Sequence, residues 1–404
     1  MDALAELLLR VADDLVLTPD HKQVRMQDGL PMLQGMAAFQ SHPLHASILD
    51  EAAKDPNLSR LFPDTPHPSG RARPYRPSEL GFQLVNAAAW HAALAGDTTG
   101  AGYRDRLAAT LAQMRTTCKT GKEPAKTYVG LEFSLPDDTQ LKVPWGLLRA
   151  DRPSDRALYA YAGSGSSPPG KRCVLELDAS IPVTITVTES FVDEPVPGFE
   201  DPRPKLVALA ALLTLGPSNY RPTLPWLVTR VSVLAPGPGA SASRRTSIEG
   251  PTVESRALPT LTEWIQRLAS HPLPTIALDR SLSIMSAQQD YIYAFIDAVI
   301  AWENLFGTGD TQETSYRVSM NMAAVMSDIV DDRITLQREI KKLYSRGSTI
   351  VHGGDHPTPV EAHDLWERAR QHTFQALSRL LDRYPHLIEA DTNAFVAYLL
   401  GQAR

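Results

Sequence analysis

The chain has 404 residues, 43% hydrophobic and 21% charged, ordinary proportions for a globular protein long enough for two or three domains. Its net charge of −6 excludes a protein that holds nucleic acid by overall positive charge, so an RNA site has to be a local basic patch or a small cleft. Cys118 and Cys173 are its only cysteines, which excludes a disulfide framework and a multi-cysteine zinc site and fits a reducing cytoplasm.

Asp2 and Glu6 stand where a secretory signal needs basic residues. The strongest apolar run, Leu206 to Leu215, is too short to span a bilayer, so a cytoplasmic protein without membrane contact is expected. Leu4, Leu7, Leu8, Val11 and Leu15 recur at helical spacing and predict an amphipathic helix over Ala3 to Val16. Helical patterns follow over Leu44 to Leu61, over Ser78 to Leu94 with Ser78 and Glu79 as its cap, and over Tyr103 to Thr116. Pro63, Pro66, Pro68 and Gly70 mark a loop.

The composition changes near residue 127. Tyr128, Leu131, Phe133 and Leu135, then the turn Pro136-Asp137-Asp138, then Leu141, Val143 and Trp145 predict a hairpin over Thr127 to Leu148. Strands are expected at Cys173 to Leu177, at Val183 to Val187 and at Trp226 to Leu234, while Leu206 to Leu215 fits strand or helix. Residues 235–260, rich in proline, glycine and serine, read as a linker or mobile loop, with Arg244 and Arg245 as solvated loop charges. Helical patterns then cover Leu261 to Ala269, Ser283 to Phe306, Ser315 to Val330, Ile334 to Val351 and Pro359 to Tyr384, which predict a bundle. The expected fold class is α+β: an N-terminal helical region 1–126, a β-rich region 127–234, the linker 235–260 and an all-α bundle 261–404.

Several motifs can be set aside. Gly165-Ser166-Ser167-Pro168-Pro169-Gly170-Lys171-Arg172 follows a phosphate-loop spacing up to its lysine. Arg172 replaces the magnesium-binding hydroxyl, the prolines remove amide donors and a strand pattern follows, so a hairpin loop is the better reading. His352, Asp355, His356, His363 and Asp364 lack metal-motif spacing, and no metal or cofactor is expected. No Gly-x-Ser-x-Gly elbow is present, which argues against acyl transfer.

The densest chemistry lies in Tyr344-Ser345-Arg346-Gly347-Ser348-Thr349-Ile350-Val351-His352-Gly353-Gly354. Arginine holds phosphate oxygens with a planar, permanently charged fork, and histidine moves a proton near neutral pH. The same residues also suit a plain helix end, with the glycine pair as its stop and Arg346 paired to Glu339 or a neighbouring helix. If a helix ran through both, six positions at about 100° each would leave Arg346 and His352 about 120° apart. They then converge only if the helix ends between them or a second subunit completes the site.

Two further stretches accompany this segment: Ala301-Trp302-Glu303-Asn304-Leu305-Phe306, and Glu313-Thr314-Ser315-Tyr316-Arg317. With Leu343 to Gly353 they make Thr275 to Leu387 resemble the Apea-like HEPN domains of bacteria. The resemblance implies an HEPN-like helical bundle that forms a homodimer, with Arg346 and His352 as the catalytic pair of a metal-independent endoribonuclease acting on RNA. Ser348 and Tyr344 would be hydrogen-bonding helpers, and Glu303 a bundle-interior residue that orients Arg346. Gly347 departs from the polar residue that usually follows the arginine, and the gap to His352 is one residue longer than in close relatives. The same resemblance implies a toxin-like or anti-phage role, with the N-terminal part regulating the bundle or sensing a phage or regulatory protein. Some HEPN domains bind RNA, nucleotides or protein without cutting, which is the alternative expectation.

Overall fold

The computed structural model of the chain describes residues 2–15, 24–27, 30–33, 36–61, 77–95, 99–152, 155, 173–185, 190–192, 201–217, 227–230, 239–242, 250–286, 290–307, 314–354, 356–388, 395, 397 and 398. The N-terminal region holds α1 (Ala3–Leu15), α2 (Met36–Gln40), α3 (His45–Lys54), α4 (Leu80–Leu94) and α5 (Gly100–Thr120). A small hairpin of β1 (Val24–Gln27) and β2 (Leu30–Leu33), not expected from the sequence, lies between α1 and α2. The apolar stripe of α1, Leu4, Leu8, Val11 and Leu15, shares a core with Ile48 and Ala52 of α3 and Leu107 and Leu111 of α5. On α4 every residue from Leu80 to Trp90 is buried, the mark of a helix enclosed on all sides. The expected helix Tyr103 to Thr116 is longer at both ends: Thr99 accepts a hydrogen bond from the Gly102 N–H, and Gly121 takes a left-handed conformation at the far end.

The sheet contains β3 (Lys122–Leu131), β4 (Gln140–Val143), β5 (Gly146–Ala150), β6 (Cys173–Ile185), β7 (Ser190–Val192), β8 (Leu227–Arg230) and β9 (Gly239–Ala242). Its order is β4-β5-β6-β3-β8-β9, every neighbour antiparallel, with β7 beside the end of β6. The expected hairpin therefore has other partners. The turn at Pro136 to Asp138 is present, with Asp138 left-handed, but it carries the chain away from β3. β4 folds back on β5 through Pro144 and Trp145, Val143 facing Gly146, while β3 takes the central place between β6 and β8. A long partner drives that choice, since β6 pairs with β3 from Lys122↔Pro182 to Leu131↔Cys173. The separate strand expected at Val183 to Val187 is, up to Ile185, the continuation of β6.

Within the stretch expected as a linker, Gly239–Ala242 is a strand, and residues 250–253 are fastened beyond the end of β3. The Ser134 N–H donates to the Pro251 carbonyl at 2.9 Å and the Val253 N–H to the Ser134 carbonyl at 2.9 Å. The Pro63–Gly70 loop, the Gly165–Arg172 motif, Arg244 and Arg245 lie outside the described residues.

The ambiguous stretch at 206–215 belongs to α6 (Pro202–Leu215), capped by Asp201, which accepts a hydrogen bond from the Arg203 N–H. Then come α7 (Leu258–Ser270), α8 (Thr275–Ser286), α9 (Tyr291–Phe306), α10 (Thr314–Met326), α11 (Val330–Val351) and α12 (Pro359–Arg383). The single helix expected over Ser283 to Phe306 is two, because Asp290 caps α9 by accepting from the Ile292 and Tyr293 N–H groups. α9 packs against α8, α10, α11 and α12. One apolar core runs from Leu148 and Leu175 of the sheet through Leu209 of α6 to Phe295 and Trp302 of α9 and Leu377 of α12. The fold is α+β, with N-terminal helices, a central antiparallel sheet and a C-terminal region of packed helices.

Candidate functional site

The segment from Tyr344 to Gly354 is the last part of α11 and its end. Ile340, Leu343, Tyr344, Gly347 and Ile350 recur at helical spacing and are buried, which fixes the inner face of the helix. The glycine pair stops it through a Schellman arrangement. The Gly353 N–H donates to the Ile350 carbonyl at 3.2 Å and the Gly354 N–H to the Thr349 carbonyl at 2.8 Å. Gly353 has φ of 80°, and a Cβ on Gly354 would lie 2.4 Å from Thr349 Cγ2, so glycine is required at both.

The helix runs through Val351, with His352 as its cap. It does not end between Arg346 and His352. Within one copy the two side chains therefore keep the divergence of about 120° set by helical geometry.

Gly347 explains itself by packing. A Cβ there would stand 2.7 Å from Val299 Cγ2, so the missing side chain is what lets α11 approach α9. It is buried on the inner face of α11. Beside it, the Tyr344 hydroxyl donates to Glu303 of α9. Burial, and after it the hydrogen bond and charge of Glu303, push the Tyr344 phenol above its ordinary range, so it stays protonated as a donor. Glu303 is half-buried and engaged with Tyr344, and it makes no ion pair with Arg346.

Arg346 lies on the other flank of the inner face. It is half-buried and lines an open groove of about 670 Å³ between α11 and α12, with Lys342, Leu343, Thr349, Val360, Glu361 and Leu365. Among the described residues Arg346 has no salt-bridge partner. The expected partner Glu339 is taken by Arg368 at 2.8 Å and by His372 at 3.3 Å. Glu361 is held below the ordinary carboxylate range mainly by hydrogen bonds from the Thr358 backbone and hydroxyl, with a smaller pull from the Arg346 charge. His352 is exposed and Ser348, one turn earlier on the same flank, is half-buried.

Of the expected residues, Tyr344 and Glu303 meet, Ser348 and His352 share a flank, and Arg346 faces another way. The groove partners Lys342, Val360 and Leu365 were not singled out from the sequence; the signal for Lys342 was its position four residues before Arg346, one helical turn away. His363 packs edge-on against Tyr291 at 4.8 Å and Trp366 at 5.4 Å, and His356 is exposed. Asp355 lies outside the described residues. Among those residues no three His, Cys, Asp or Glu side chains gather as a metal site would need, and no helix is long and apolar enough to cross a membrane. No family model, no curated protein and no solved structure matches the chain.

Proposed function

We propose that the protein is a metal-independent endoribonuclease of the HEPN type, with Arg346 of one copy and His352 of a second copy meeting at one RNA phosphate. The observation that carries this reading is the state of the pair. A cationic fork without a salt-bridge partner among the described residues lines an open groove, and an exposed imidazole stands six residues further along the same helix. Glu339, the carboxylate of the same helix that could have paired with Arg346, is committed to Arg368 and His372, which leaves the guanidinium charge available to a phosphate.

RNA supplies its own nucleophile, the 2′-hydroxyl. His352 takes the hydroxyl proton as the oxygen attacks the adjacent phosphorus, or returns a proton to the departing 5′-oxygen. Arg346 binds the charge that gathers on the phosphate oxygens in the transition state. The P–O5′ bond breaks, leaving a 2′,3′-cyclic phosphate and a 5′-hydroxyl. The divergence of the two side chains in one copy is what calls for the second copy, in a two-fold homodimer. The N-terminal helices and sheet would hold this activity in check or sense a phage or regulatory protein, in a toxin-like or anti-phage role.

Incubation with total RNA in EDTA tests the chemistry. Wild type should produce fragments ending in cyclic phosphate, and Arg346→Ala and His352→Ala should each lower the rate by at least about a hundredfold. Cleavage that survives His352→Ala would overturn the mechanism. RNA binding without cleavage by wild type would favour a non-catalytic binding module.

A further inference from the structure

We propose that single-stranded RNA lies along α11, its phosphates on Arg338, Lys342 and Arg346 and its bases against the apolar lining of the groove and Tyr316. This rests on the nuclease reading of Arg346 and His352 and extends it to the path of the substrate. The chain as a whole carries a net charge of −6, yet residues 338–346 hold Arg338, Lys341, Lys342 and Arg346 against the single acid Glu339. Spacing of four and four puts Arg338, Lys342 and Arg346 on one side of the helix, over about 12 Å. Arg338, Lys341 and Lys342 are exposed.

Among the described residues none of these four cations has a salt-bridge partner; Glu339, three residues before Lys342, turns to Arg368 and His372 instead. Like charges one turn apart repel, so the row costs the helix stability and an anionic partner would relieve that cost. Arg368 across the groove is already neutralised by Glu339, while Glu361 and Asp364 line the same groove on the α12 side. The free positive charge is thus confined to the α11 edge.

Both sides of the row suit bases. The groove is lined by Leu343, Leu365 and Val360, the last of them 80% exposed. On the opposite side Tyr316 is 47% exposed, with Lys341 Nζ 5.7 Å from its ring centre. A line of cations flanked by apolar and aromatic surface matches a strand whose base faces are uncovered, whereas a duplex hides them. The row leads to Arg346, the group proposed to hold the reacting phosphate.

The test uses the full chain bearing His352→Ala, so that bound RNA is not cut, and follows the anisotropy of a labelled oligouridylate in EDTA across a salt series. Three phosphate contacts predict a slope of log affinity on log salt of about −2, at roughly −0.7 for each phosphate of a single strand. Adding Arg338→Gln with Lys342→Gln should bring the slope to about −0.7 and weaken binding about tenfold or more at low salt. Tyr316→Ala should weaken binding about fivefold or more with the slope unchanged, since stacking releases no counterions. Circular dichroism and melting of each variant control for folding. Affinity and slope unchanged in the double variant would overturn the track, and so would retention on phosphatidylserine vesicles with no RNA binding. If wild type also cleaves RNA, the nuclease survives that loss. Salt-dependent binding that the double variant loses, with no cleavage by wild type, keeps the track and removes the nuclease.

Discussion

His91 on α4 shows how a single enclosed side chain couples stability to pH. Its Nε2 is shut off from solvent and has no hydrogen-bond partner among the described residues. Burial, helped by the nearby charge of Arg106, lowers its pKa from 6.5 to about 4. The unfolded chain binds the proton first, so between those values the unfolded state is favoured as pH falls. Stability attributable to His91 is whole above about pH 6.5 and is lost toward pH 4, by up to about 3 kcal/mol. Melting temperature measured from pH 7 to 4 should fall less steeply in His91→Leu than in wild type; equal slopes would contradict this origin. The histidine was visible in the sequence, but its enclosure was not. Enclosure depends on α4 being buried on every side, which a sequence without a sharp polar face suggests only after the neighbouring helices are known.

At the scale of elements, the crossing of α9 and α11 sets where Arg346 stands. At Gly347 the absent side chain makes room for Val299 and Phe295 of α9. Gly347→Ala places a methyl 2.7 Å from Val299 Cγ2. Such overpacking costs about 1–3 kcal/mol, offset in part by about 1 kcal/mol from alanine's better helix propensity. A net loss is expected, read as a lower denaturant midpoint with an unchanged slope. A gain in stability would mean the helices are not in contact there. Periodicity and glycine stops made α11 and its end readable in advance, because those signals are local. The sheet was not readable to the same degree. Pro136 to Asp138 marks a turn correctly, yet which strand β3 pairs with is decided by the distant β6, a contact no local pattern encodes. The break before α9 is marked in the sequence by Gln288, Gln289 and Asp290, a short polar interruption that the apolar residues on either side of it outweighed; in the structure Asp290 caps the second helix.

For the whole molecule, two cores matter. The N-terminal helices form one, and the sheet, α6 and the C-terminal helices share the other. The α+β class was readable from the change of composition near residue 127 and the helical patterns after 261. The continuity of sheet and bundle was not, because the apolar residues of β5, β6 and α9 that meet are far apart in the chain. This core holds α11 against α9 and leaves the Arg346 flank and the His352 flank both facing outward. One copy presents the two groups apart, and it is the proposed homodimer that would bring them together. Mixing the Arg346→Ala and His352→Ala proteins under conditions that exchange subunits tests this most directly. Each variant alone should be inactive on RNA in EDTA, and the mixture should regain cleavage, because the mixed dimer carries one intact Arg346 and one intact His352 on opposite copies. A mixture as inactive as its components, while wild type cleaves, would contradict a site shared between copies.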